Sequence, residues 1–238
     1  MCGIAGLWPR DRFAAGTLER MTDALRHRGP DAGGFFQDTA VGLGHRRLAI
    51  VDLSANGAQP MCSADGRVVI AFNGEIYNHA ELRGLIPGHP WRSTSDTETI
   101  LELYCKLGIQ FIGKLVGMFS ICLYDVALNK ILIWRDRLGE KPLYYHHGGG
   151  RFAFASELKS LLVIADLDRT INREALQQYL LFNYLPDEAS MLGSVKKLLP
   201  GHRLELDLQT GAVITAVSYT HLRAHETKAN LVCRLLLE

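Results

Sequence analysis

Along the chain, apolar positions recur at intervals of two residues and then of three or four, and the switches between these periods lay out the elements. The opening run Ile4, Ala5, Leu7 and Trp8 reads as a short buried strand. Leu18, Met21 and Leu25 then fall at helical spacing, so Thr17 to Arg28 predicts a helix with Thr17 as its cap, stopped by Gly29-Pro30. After a glycine-rich bend, Val41 to Val51 predicts a strand pair, with Arg47, Ala49 and Val51 on one face and Leu48 and Ile50 on the other. Arg67 to Phe72 is a clear further strand. Ser95 to Lys106 predicts a second helix: Ser95 caps it, Glu98 completes a capping box, and Ile100, Leu101, Leu103 and Tyr104 form its apolar face. From Leu115 the two-residue period returns, with strands at Met118 to Val126, Lys130 to Arg135, Pro142 to His146 and Arg151 to Ala155, and a third helix near Glu174. The pattern is that of an α+β protein in which two mainly antiparallel sheets pack face to face under covering helices.

Composition narrows the class. A chain of 238 residues, 47% hydrophobic and 21% charged, holds one large domain or two small ones with a proper core. A net charge of +1 provides no electrostatic footprint for nucleic acid or an anionic membrane. The five cysteines, Cys2, Cys62, Cys105, Cys122 and Cys233, are odd in number and widely spaced, which argues against a disulfide framework or zinc knuckle and for a reducing compartment. With no apolar run near about 20 residues and no basic n-region at the start, a cytoplasmic protein is expected. Phosphate-loop, zinc-protease and Gly-x-Ser-x-Gly motifs are absent, the nine histidines lack metal-ligand spacing, and His147-Gly148-Gly149-Gly150 reads as a hairpin turn.

Four stretches carry candidate chemistry. Cys2 becomes the terminal residue once Met1 is removed, and a terminal cysteine joins a thiol with a pKa of about 8.5 to an amine of about 7.7–8.0, a nucleophile and its base on one residue. Arg47, beside apolar strand positions, needs an anionic partner, either a protein carboxylate or that of a substrate. Asn73-Gly74 is open to two readings: a hairpin turn, or an amide and a backbone N–H that together form an oxyanion hole. Asp96, in the first turn of the second helix, complements the helix dipole or binds a substrate ammonium. The cluster Arg26-His27-Arg28 reads as a solvated helix end, the alternative being that Arg28 and Asp31 form a buried turn beneath a site.

Taken together and in order, Cys2-Gly3-Ile4-Ala5-Gly6, Arg26-His27-Arg28-Gly29-Pro30-Asp31, His45-Arg46-Arg47-Leu48-Ala49-Ile50-Val51-Asp52, Asn73-Gly74-Glu75-Ile76-Tyr77-Asn78, Ser95-Asp96, Arg135-Asp136-Arg137-Leu138-Gly139 and Phe154-Ala155-Ser156-Glu157 resemble the class II glutamine amidotransferase domain of glutamine-hydrolysing asparagine synthetases. The resemblance covers about residues 2 to 207 and includes Lys197-Leu198-Leu199-Pro200-Gly201-His202. It implies the N-terminal nucleophile fold, a four-layer α/β/β/α sandwich, and hydrolysis of glutamine through a thioester on Cys2. It also implies that Asn73 and Gly74 form the oxyanion hole, that Arg47 pairs the substrate α-carboxylate, that Asp96 and Glu75 hold its α-amine and orient the pocket, and that the backbone of Arg47, Leu48, Ala49, Ile50 and Val51 lines the site. Glutamine is the expected partner, and a homodimer is compatible with this reading. No cofactor is expected for the glutaminase half; ATP and Mg belong to a synthetase domain for which this chain has neither loop nor room.

Residues 1–207 are expected to form the glutaminase domain and 208–238 a tail, unrelated sequence from about 217, where the family's usual tryptophan is missing after Tyr219. Two rival functions stay open. One is the same domain serving a sugar-phosphate or phosphoribosyl amidotransferase; the other is a module that keeps the fold but only binds a ligand.

Overall fold

A computed structural model of the chain describes residues 1–186 and 188–218. In chain order its elements are β1 (Gly3–Trp8), α1 (Thr17–Asp23), β2 (Ala32–Gln37), β3 (Gly42–Arg47), β4 (Met61–Cys62), β5 (Val68–Ile76), α2 (His79–Arg83) and α3 (Asp96–Leu107). They continue as β6 (Gly117–Asp125), β7 (Lys130–Arg135), β8 (Tyr144–Gly148), β9 (Arg151–Ala155), α4 (Leu158–Leu161), α5 (Arg173–Phe182), β10 (Lys196–Lys197), β11 (His202–Asp207) and β12 (Val213–Val217). One six-stranded sheet runs β10-β8-β9-β1-β3-β2 and the other β12-β11-β7-β6-β5-β4. Every pairing is antiparallel.

Strand alternation sorts the apolar side chains into three cores. In β5, Val69 and Ala71 join Ile4, Leu43, Cys122, Tyr124 and Phe154 in the layer between the sheets. Val68, Ile70 and Phe72 point the other way, onto Ile100, Leu101 and Tyr104 of α3. On the far side, Ala5 and Leu7 of β1 pack under Leu18 and Met21 of α1 and Leu161 of α4. Helix, sheet, sheet, helix is therefore the order of layers, and the fold is the expected N-terminal nucleophile sandwich.

Several local expectations need correction. The first helix ends at Asp23, and its cap is Gly16 in the left-handed region, while Thr17 is its first residue and donates to Ala14 O. Strand β3 stops at Arg47, so Leu48 to Val51 are loop. The loop turns back because the Arg47 guanidinium gathers two of its carbonyls, those of Asp52 and Ser54. Asn73-Gly74 makes no turn: β5 runs straight through both residues, paired with Ser120 and Phe119 of β6. Gly74 is needed there for close approach, since a Cβ would lie 2.2 Å from Met118 O. Ser95 does cap α3, accepting from Glu98 N, but Glu98 turns its carboxylate to the Arg92 and Ser93 amides instead of closing the box. The Gly149 and Gly150 hairpin turn forms as expected, both glycines having positive φ. Beyond residue 207, β12 pairs with β11 and carries the sheet to Val217. The tail from 219 to 238 lies outside the described residues.

Candidate active site

The first residues are fastened on both sides. Gly3, Ile4 and Ala5 pair with Arg46, His45 and Gly44 of β3. Ile4 N donates to Ser156 Oγ at 3.0 Å, and Ser156 N donates to Ile4 O at 2.9 Å. Arg28, whose side chain is only 8% exposed, donates from Nε to Cys2 O at 2.8 Å and from Nη1 to Glu157 at 2.8 Å. The Arg26-His27-Arg28 cluster is thus not merely a solvated helix end: Arg28 holds the backbone of Cys2. Asp31 accepts the Ala49 N–H at 2.8 Å, tying the 48–54 loop down.

Cys2 precedes Gly3 of β1, and strand alternation puts it on the face shared with Ile4, whose side chain lies between the sheets. Its Sγ receives the Leu48 N–H at 3.4 Å and lies 3.7 Å from Leu48 O. Burial pushes the thiol pKa up, and the Leu48 N–H opposes that shift. Burial pulls the terminal amine of Met1 down; the Cys2 thiolate and Asp31 oppose this, while Arg28 and Lys141 reinforce it. Lys141, a buried lysine, places Nζ 3.2 Å from Met1 Sδ.

The opposite wall is the edge of β5. Even-numbered residues of this strand turn their backbone groups away from β6, and all but Gly74 find a different neighbour among the described residues. Val68 N donates to Ser63 Oγ, and Ile70 is paired with Met61 of β4. Phe72 N donates to Gln59 Oε1 at 2.7 Å, and Phe72 O accepts from His45 Nε2 at 3.1 Å, which fixes the proton on Nε2 of that ring. Ile76 N donates to Asp96 Oδ2 at 3.0 Å. Gly74, between them, points its N–H to the same uncovered edge, into the cleft. Beside it the Asn73 side chain is 1% exposed, yet neither Oδ1 nor Nδ2 has a hydrogen-bond partner among the described residues. Its amide is thus left free to bond a group that enters the cleft.

A cleft of about 100 Å³ collects Cys2, Arg47, Leu48, Ile50, Val51, Asn73, Gly74, Glu75 and Asp96. Of the residues expected at the site, Ala49 is outside the lining, its N–H turned away to Asp31. Arg47 meets only backbone carbonyls, with no carboxylate within ion-pair distance among the described residues. Burial pushes the Asp96 carboxyl up, partly offset by the Ile76 N–H. The Asp52 carboxyl drops to about 2 because Ser54 and the Thr94 N–H bond it, which stiffens the turn that holds Arg47. Sequence reasoning missed Gln59, Thr97, Met118 and Lys141, all in the lining. Their partners are far along the chain, so no local pattern marks them.

A family model of the glutamine amidotransferase domain matches residues 1–219. The chain is 40% identical over 233 residues to asparagine synthetase [glutamine-hydrolyzing] 2 of Bacillus subtilis (strain 168), covering 94% of this chain and 31% of that protein. It is 37% identical over 232 residues to the putative asparagine synthetase [glutamine-hydrolyzing] 2 of Methanocaldococcus jannaschii, covering 87% of this chain and 44% of that one. The chain thus spans from about a third to under half the length of these curated relatives. Among solved structures, the glutamine phosphoribosylpyrophosphate amidotransferase from B. subtilis aligns at a TM-score of 0.68 with 18% identity, covering 92% of this chain and 50% of that one, a likeness of fold alone. With the model matched from the first residue through β12, the chain belongs to the glutamine amidotransferase domain family.

Proposed function

We propose that this domain hydrolyses the side-chain amide of glutamine to glutamate and ammonia with Cys2 as nucleophile, as the ammonia-supplying half of an asparagine synthetase-like enzyme. The observation that carries the reading is the buried Asn73 amide, without a hydrogen-bond partner among the described residues, beside Gly74 in the cleft that Cys2 lines.

Removal of Met1 makes the Cys2 amine terminal. The amine takes the thiol proton, directly or through a water, and Sγ attacks the amide carbon. Asn73 Nδ2 and Gly74 N–H donate to the oxyanion that develops, and because they are fixed before the reaction they need no reorganisation. The intermediate collapses: the C–N bond breaks, the protonated amine returns its proton to the nitrogen, and ammonia leaves a γ-glutamyl thioester. Water, deprotonated by the same amine, cleaves the thioester to glutamate and restores the thiol. Arg47 pairs the α-carboxylate of the substrate, Asp96 and Glu75 face its ammonium, and the Leu48 to Val51 loop lines the chain between. Thiol, amine and water supply every step, so ATP and Mg belong to the amination half in this reading.

The test is to mix the processed protein with glutamine, quench in acid and map the adduct. A glutamyl mass on an N-terminal Cys2 peptide, released by hydroxylamine, supports the reading. Retention of Met1 in fully active protein would overturn it, since a blocked amine cannot serve as the base.

A further inference from the structure

Gln59 closes a ring around Gly74. Its Oε1 accepts from Phe72 N at 2.7 Å, and its Nε2 donates to Thr97 Oγ1 at 3.2 Å. Thr97 follows Asp96 in the first turn of α3, and Asp96 Oδ2 accepts from Ile76 N at 3.0 Å. The circuit therefore runs from Phe72 through Gln59, Thr97 and Asp96 to Ile76, back onto the strand from which it started. Inside it lies the one stretch of this edge, Asn73 to Glu75, that carries both oxyanion donors and a carboxylate. Every side chain in the ring is buried: Gln59 is 8% exposed, Thr97 2% and Asp96 5%. The far side of Phe72 is held as well, by His45 from the other sheet.

We infer that Gln59 is a positioning residue of the reaction, a two-ended clasp that sets the oxyanion donors of β5 and the ammonium-facing carboxylate of α3 at one fixed separation. The inference rests on the hydrolytic reading above and deepens it. Among the described residues no strand covers the β5 edge beyond the Met61–Ile70 pair, so without Gln59 neither the Phe72 amide nor the α3 turn has this cross-link. Its two ends serve different parts of the substrate. The Phe72 end fixes the strand that holds the scissile carbonyl, a matter for kcat; the Thr97 end fixes the turn that faces the α-ammonium, a matter for KM.

The experiment compares the wild-type chain, Gln59→Leu and Thr97→Val in glutamine hydrolysis, with amide hydrogen exchange on the substrate-free proteins. Thr97→Val keeps Gln59 and cuts only the α3 end, so it remains informative if Gln59→Leu folds poorly. In Gln59→Leu, which cuts both ends, kcat falls roughly 10- to 100-fold, the scale of a small misplacement at a reacting centre, and KM rises as it does in Thr97→Val. Phe72 amide protection is lost in the same variant, while the rate of Cys2 alkylation by iodoacetamide stays within about twofold, the thiol lying outside the ring. In Thr97→Val, KM for glutamine rises with little change in kcat. Wild-type kinetics in a folded Gln59→Leu, or kcat and KM moving together with thermal stability in both variants, would overturn the clasp while leaving the hydrolytic reading intact. A correctly processed wild-type chain that releases no glutamate would overturn that reading and the catalytic meaning of the clasp with it.

Discussion

Asn73→Ala separates a catalytic group from a structural one by comparing its effects on stability and on rate. The Asn73 amide is buried at 1% exposure, lines the cleft and makes no hydrogen bond to the described residues. Truncating it therefore breaks no bond among those residues, and folding stability should stay within about 1 kcal/mol of wild type. Catalysis behaves in the opposite way. Losing one oxyanion donor costs about 2.7–4 kcal/mol, a fall of roughly 10²–10³ in kcat. Denaturant unfolding and initial rates of glutamate release, measured on the same preparation, check both halves. Full glutaminase activity would refute the oxyanion assignment. A loss of activity accompanied by destabilisation of about 2 kcal/mol or more would show that Asn73 holds up the strand and does not wait for a ligand.

Three further outcomes follow from the geometry. Gly74→Ala places a Cβ 2.2 Å from Met118 O in the paired strand, so thermal unfolding should show a loss of about 1–3 kcal/mol or more, with activity abolished. Lys141 lines the cleft beside Cys2, so once Met1 is removed its positive charge should favour the neutral form of the Cys2 amine; Lys141→Met should then move the acid limb of kcat/KM to higher pH, and an unmoved limb would exclude the lysine from the base's environment. Burial lowers His45 to about 4 from 6.5, so its contribution is fully present above pH 6.5 and is lost as pH falls toward 4, about 3 kcal/mol in all. Urea midpoints across that window should decline steeply in the wild type and more shallowly in His45→Gln, which keeps a donor for Phe72 O.

What could be read from the chain, and what could not, follows the reach of each interaction. Ser95 announces the α3 cap because its partner, Glu98 N, is three residues away. The β5 strand is plain from Val68 to Phe72, but Asn73-Gly74 carries a local turn signal that only the β6 ladder overrides. Arg47 is visibly short of an anion, whereas the carbonyls of Asp52 and Ser54 that bend its loop are revealed only once the loop has closed. Arg28 looks like one more solvated charge until Glu157, 129 residues further along the chain, is brought beside it. Gln59 is the extreme case: its partners lie 13 and 38 residues ahead, and nothing in the neighbouring Asn56-Gly57-Ala58 marks it. The resemblance to an amidotransferase domain pointed to the candidate site residues, yet not to the side chains that brace them.

The central claim is that Cys2 carries glutamine hydrolysis in this domain. It is tested most directly by following glutamate and ammonia together when the purified chain, shown by intact mass to have lost Met1, is given glutamine alongside Cys2→Ala. Equal release of the two products by the wild type and none by the variant is expected. Undiminished release by Cys2→Ala, or none by the processed wild type, would contradict it.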